Sequence, residues 1–127
     1  MKRHDIGAFG ESVAADHLKK NGFRILERNR HESHNEMDIV AANHEFLVFA
    51  EVKTRSVEPR EDSLYGTAAA AVTRAKQARL LTAASQYLRM HPKYASLQPR
   101  LDVIEVYLDK QSGKLLCINH IENAFGR

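Results

Sequence analysis

Asp38, Glu51 and Lys53 are spaced so that one β-hairpin can gather them. Glu51 and Lys53 lie near the end of Phe46-Leu47-Val48-Phe49-Ala50-Glu51-Val52-Lys53-Thr54-Arg55, in which five apolar residues precede the first charge. Side chains two apart share a strand face, so Glu51 and Lys53 emerge together just beyond Leu47 and Phe49. Asp38 lies in Asn35-Glu36-Met37-Asp38-Ile39-Val40-Ala41-Ala42, and Asn43-His44-Glu45 reads as the turn joining the two segments. That fold sets Asp38 opposite Glu51 or one diagonal away, where cross-strand neighbours are about 5 Å apart. Like charges ~4 Å apart repel by roughly 4 kcal/mol at an effective dielectric near 20. Lys53 can neutralise one carboxylate, not both. A divalent cation relieves the conflict, and hard oxygen ligands favour Mg²⁺ or Mn²⁺. A structural Glu–Lys pair at a strand end is the alternative that this stretch leaves open.

Other residues could join this chemistry. Glu11 sits at the edge of the apolar stripe of a helix over residues 5–21, either as a solvated flank or as a third carboxylate reaching over the sheet. Gly7 and Gly10 beside it permit close approach to another backbone. Lys76, with Gln77 next to it, falls on the inward stripe of a longer helix, where it either snorkels to solvent or points toward the carboxylates. His31-x-x-His34 has no second His or Cys pair at ligand spacing, which argues against zinc. Asp102 either joins the site or pairs with Arg100, and the structural pairing is the favoured reading.

The elements that must hold these groups follow from periodicity. The run 46–55 is apolar on both faces, as in a central strand covered on both sides. Residues 23–30 and 35–42 read as further strands, and 31–34 as a polar turn. Asn21-Gly22 stops the first helix. Residues 56–66 form a polar loop, either a simple connector or a segment able to close over a ligand. Residues 67–90 read as an alanine-rich helix with Ala69, Val72, Leu80, Ala84 and Leu88 in one stripe, ended by His91-Pro92. Strands over 100–108 and 114–120 flank a turn at 109–113.

The chain of 127 residues reads as one domain, with a net charge of +3 and a sequence pI near 9.1. That excess suits a polyanionic partner without demonstrating one. The single Cys117 allows no internal disulfide and points to a reducing cytoplasm. No apolar run approaches membrane-spanning length.

The order of elements, with Asp38 and Glu51-x-Lys53 on the second and third strands, resembles the PD-(D/E)xK nuclease superfamily. More narrowly, the chain resembles the YraN-like family of small bacterial proteins of unassigned function, often described as endonucleases and related to archaeal Holliday junction resolvases. The likeness spans nearly the whole chain. It is carried by Gly7-x-x-Gly10-Glu11, Gly22-Phe23, Asn29-x-His31, Glu36-Met37-Asp38-Ile39-Val40, Phe49-Ala50-Glu51-Val52-Lys53-Thr54-Arg55, Gly66 with Val72 and Lys76, and Arg100-Leu101-Asp102-Val103. Asn35 stands where the family usually has Gly, and Met37 where the superfamily often has Pro.

The resemblance implies a three-layer α/β, restriction-endonuclease-like fold with a mixed five-stranded sheet between helices. It also implies metal-dependent hydrolysis of nucleic-acid phosphodiesters, with branched DNA among the candidate substrates. Glu11, Asp38, Glu51 and Lys53 then take the catalytic positions. Asp38, Glu51, the Val52 carbonyl and Glu11 would hold Mg²⁺. Glu36 and Lys76 match family positions, Glu36 as a supporting residue. Lys76, Gln77, Arg55, Arg30 and Arg28 are candidate phosphate contacts. A resolvase-like activity would call for a homodimer. The alternatives are a module that binds nucleic acid without cutting it, and a protein-interaction adaptor.

Overall fold

In the computed structural model, residues 3–32, 35–58 and 73–124 are described. Helix α1 (Arg3–Lys20) leads into β1 (Arg24–Glu32), β2 (Asn35–Ala42) and β3 (Phe46–Val57). Helix α2 (Arg74–Met90) and a short 3-10 turn (Pro92–Tyr94) follow, then β4 (Gln98–Asp109) and β5 (Leu115–Ile121). The strands form one five-stranded sheet in chain order, β1-β2-β3-β4-β5. β3 and β4 are parallel, and the other pairs are antiparallel. The sheet is therefore mixed and open, with a helix packed on each face.

Alternation along β3 builds both layers. Val48 and Ala50 pack with Ile39, Ala41, Ile104 and Val106 beneath Ala14, Ala15 and Leu18 of α1. Leu47 and Phe49 pack with Val40, Ala42 and Leu101 against Ala83, Ala84 and Tyr87 of α2. Burying both faces makes β3 the spine of the sheet and forces its charges to the end.

Local signals set the boundaries. Gly22 takes a positive φ of 89° and closes α1, with the Phe23 N–H donating to the Leu18 carbonyl at 3.0 Å. The Asn43 side chain makes the β2–β3 turn, its Oδ1 accepting from the N–H groups of Glu45 (2.9 Å) and Phe46 (2.7 Å).

Three expected boundaries shift. α2 begins at Arg74, because Thr73 is extended and its Oγ1 accepts from the Lys76 N–H at 3.1 Å, which makes it the N-cap. Residues 67–72 of the expected helix, including Ala69 and Val72, lie outside the described residues. β3 runs on to Val57, into the expected loop, because parallel pairing with β4 continues to Val57↔Asp109. β1 extends through His31 and Glu32, paired with Glu36 and Asn35, so the first half of the turn expected at 31–34 is strand instead. Residues 33–34 and 59–66 lie outside the described residues.

Candidate active site

The hairpin register sets the carboxylates together. β2 and β3 pair as Val40↔Phe49 and Ile39↔Ala50, and Asp38 and Glu51 are the next residues on each strand. Glu51 shares a face with Leu47 and Phe49, the face covered by α2. Asp38 is fixed by its backbone neighbour: Oδ2 accepts the Val52 N–H at 2.8 Å. Because a strand residue directs its N–H and carbonyl to one flank, the Val52 carbonyl lies on that flank too.

Glu51 is 8% exposed. Its Oε2 is buried and makes no hydrogen bond, although Lys76 Nζ of α2 stands 3.5 Å away. Burial, then the charge of Asp38, push the Glu51 carboxyl from 4.5 to about 7. Lys76 and Lys53 pull it back, and a hydrogen bond shared with Asp38 adds to the rise. Two lysines are thus insufficient to compensate two carboxylates at a half-dry strand end. Lys53 follows Glu51 on the same face and is half-buried, and Gln77 stands beside Lys76.

Glu11 comes from α1, on the opposite face. A Cβ at Gly10 would collide with the Thr54 side chain, so only glycine lets α1 settle this close to the charged end of β3. Glu11 is 6% exposed and pairs with Arg28, whose Nε lies 3.4 Å from Oε1. Arg28 Nη2 also donates to Ser12 Oγ at 3.0 Å. For Arg30 and Glu36 only the backbone is described, in register with Met37 and His31. Arg55 lies two residues beyond Lys53, with Nε 3.6 Å from Glu105 Oε2.

Among the described residues, no group of three or more His, Cys, Asp or Glu is arranged to hold a metal ion. Asp38 and Glu51 are two carboxylates beside a backbone carbonyl, and the Glu51 oxygen is not hydrogen-bonded. That donor set fits a hard cation that keeps several waters, the mode Mg²⁺ prefers.

The Glu105 network, and everything around Asp102 beyond its expected pairing with Arg100, escaped the sequence reading. Fully buried Glu105 accepts from Tyr107 Oη (2.6 Å) and Asn119 Nδ2 (2.7 Å). A lone acid in Val103-Ile104-Glu105-Val106-Tyr107 was the available signal. Asp102, also fully buried, takes Arg100 as a two-point fork at 2.9 and 3.0 Å, the Asn123 N–H at 2.9 Å and His120 Nε2 at 2.7 Å. His120 Nδ1 in turn meets His17 Nε2 of α1 at 3.0 Å. Burial pushes the Asp102 carboxyl up, but the hydrogen bonds from His120, Arg100 and Asn123 outweigh it and hold the group below 3.8.

The fold and site define a mixed-sheet α/β domain with two carboxylates and two lysines at the end of a central strand. The chain belongs to the uncharacterised protein family UPF0102, the YraN-like family, whose family model matches residues 10–106. A UPF0102 protein of Clostridium botulinum (strain Loch Maree / Type A3) is 39% identical over 121 residues, 95% of this chain and 94% of the relative. One from Caldanaerobacter subterraneus subsp. tengcongensis is 36% identical over 125 residues, 98% of both chains. Among solved structures, Pyrococcus furiosus SfsA in complex with Ca²⁺ aligns with a TM-score of 0.32 and 16% identity, over 91% of this chain and 61% of that one. That likeness is too distant to carry an argument. No helix among the described residues is long and apolar enough to cross a membrane.

Proposed function

We propose that this protein is a divalent-cation-dependent nuclease of the PD-(D/E)xK type, hydrolysing phosphodiester bonds of nucleic acid, with branched DNA the first substrate to test. One observation carries the reading. Asp38 is locked onto the Val52 N–H beside a buried, non-hydrogen-bonded Glu51 oxygen, with Lys53 and Lys76 at the same strand end. Asp38, Glu51 and the Val52 carbonyl would hold the cation. A bound Mg²⁺ or Mn²⁺ supplies a water of lowered pKa and neutralises charge on the scissile phosphate.

The chain's own residues do the rest. Asp38 keeps its orientation through its backbone hydrogen bond. Lys53 donates to the oxygen on which negative charge grows as the phosphodiester opens. Lys76 steadies Glu51 and offers further donors to a phosphate oxygen. Arg28, Arg30 and Arg55 are proposed to hold flanking phosphates, and Gln77 to lie alongside Lys76. Glu11, turned to Arg28, would reach a cation through water.

A panel of branched, flapped and single-stranded substrates with Mn²⁺ tests the reading. Wild type should nick at least one, and Asp38→Ala and Glu51→Gln should nick none. Nicking that persists in purified Asp38→Ala would point to a contaminant. Salt-sensitive DNA binding without calorimetric uptake of Mg²⁺ or Mn²⁺ would replace the proposal with a binding module.

A further inference from the structure

Two buried carboxylates of β4, Asp102 and Glu105, each meet an arginine, and the two pairs differ in kind. Arg100 closes on Asp102 with two hydrogen bonds and is 10% exposed, so its fork is committed to the protein. Arg55 is held more loosely by Glu105. Its Nε lies 3.6 Å from Oε2 without a hydrogen bond, and its side chain is 37% exposed. Among the described residues, the Arg55 side chain makes no hydrogen bond. A buried carboxylate that served only the fold would be expected to take the whole fork, as Asp102 does, because an arginine–carboxylate pair is strongest when bidentate.

The Glu105 carboxylate is nevertheless held rigidly, by Tyr107 Oη at 2.6 Å and Asn119 Nδ2 at 2.7 Å. Parallel pairing sets Lys53 beside Glu105 and Arg55 beside Tyr107, and Glu51, Lys53 and Arg55 follow one another on a single face of β3. A fixed negative group thus stands under the first cation beyond Lys53, attracting its inner edge and leaving the other donors uncommitted.

We infer that Glu105, braced by Tyr107 and Asn119, is a positioning residue that aims Arg55 at the sugar-phosphate backbone next to the scissile phosphate. The inference rests on the phosphodiesterase reading of the Asp38–Glu51 site. Arg55 is the group that touches nucleic acid, and Glu105 acts only through it.

The test is a double-mutant cycle read by binding of fluorescein-labelled duplex and single-stranded DNA in Ca²⁺ buffer across a salt series, with Mn²⁺-dependent nicking assayed in parallel. Arg55→Gln should weaken binding about tenfold, as loss of one charge-assisted contact implies. It should also lower the salt slope by about one. Glu105→Gln should weaken binding in the same direction but less, and should add nothing in the Arg55→Gln background. Should Glu105→Gln fail to fold, Tyr107→Phe keeps the carboxylate but removes one brace, and its smaller loss should likewise vanish with Arg55→Gln. Losses that add in the double variant, or Arg55→Gln binding like wild type while nicking persists, would overturn this inference alone. Arg55-dependent binding by a wild type that never nicks would uphold the aiming of Arg55 at the sugar-phosphate backbone by Glu105 and remove both the cleavage reading and the scissile phosphate beside it. A wild type that binds neither DNA would overturn both.

Discussion

Glu51→Gln should stabilise the cation-free protein, although it removes a charge that stands 3.5 Å from a lysine. The Glu51 carboxyl rises from 4.5 to about 7 on folding, through burial and then the charge of Asp38. The folded state therefore keeps a proton that the unfolded state releases, and stability is lost as pH climbs from 4.5 through 7. At about 1.36 kcal/mol per unit the rise corresponds to roughly 3 kcal/mol. Water still reaches part of the side chain and screens the repulsion, leaving about 2 kcal/mol. For a domain of this size that is a gain of roughly 6–10 °C in melting temperature above pH 7. The difference should vanish near pH 4, where both states carry the neutral acid. Thermal melts in EDTA from pH 4 to pH 8 read this directly. Saturating Mg²⁺ should reverse the order, because wild type gains about 2.7 kcal/mol at a hundredfold excess over Kd while the variant gains little. A variant less stable than wild type at every pH in EDTA would refute the reasoning and make Glu51 the stabilising partner of Lys76.

Three further outcomes follow from the same coordinates. Asp38→Asn should raise the apo melting temperature, since the amide oxygen can still accept the Val52 N–H while the repulsion disappears; Asp38→Ala forfeits that bond at about 1 kcal/mol and should melt lower than Asp38→Asn. Gly10→Ala should destabilise by about 1–3 kcal/mol in urea unfolding, and Thr54→Ala should recover part of the loss, because the added methyl meets the Thr54 side chain. His17 is held below 6.5 by burial, then by His120 and Lys20, so its contribution is present above pH 6.5 and is lost as pH falls through the folded value. Its imidazole titration by NMR should show the depression, and His17→Gln should flatten the acid side of the stability profile.

Much of the architecture was readable because it rests on local alternation. The two apolar faces of 46–50, the Asn43 turn and the stop at Gly22 each act within a few residues, and together they set the hairpin that aligns Asp38 with Glu51. The start of α2 was misread because alanine propensity spoke louder than a single threonine cap. Glu105 and His120 went unread for another reason. Tyr107, two residues along β4, is the one partner near Glu105 in the chain; the others come from other strands and from α1. Glu11 was legible as a stripe-edge acid, whereas its attachment to Arg28 depends on how α1 seats over β1.

The separation of partners along the chain also bears on the order of assembly. Asp38 and the Val52 N–H are 14 residues apart within one hairpin, whereas Arg55 meets Glu105 only after α2 has carried the chain back to lay β4 alongside β3. Short loops close at less entropic cost than long ones. An opening that peels away β4 and β5 would therefore spare the paired acids yet release the arginine beside them, so the proposed grip on a long polymer is expected to melt before the proposed capture of a small ion.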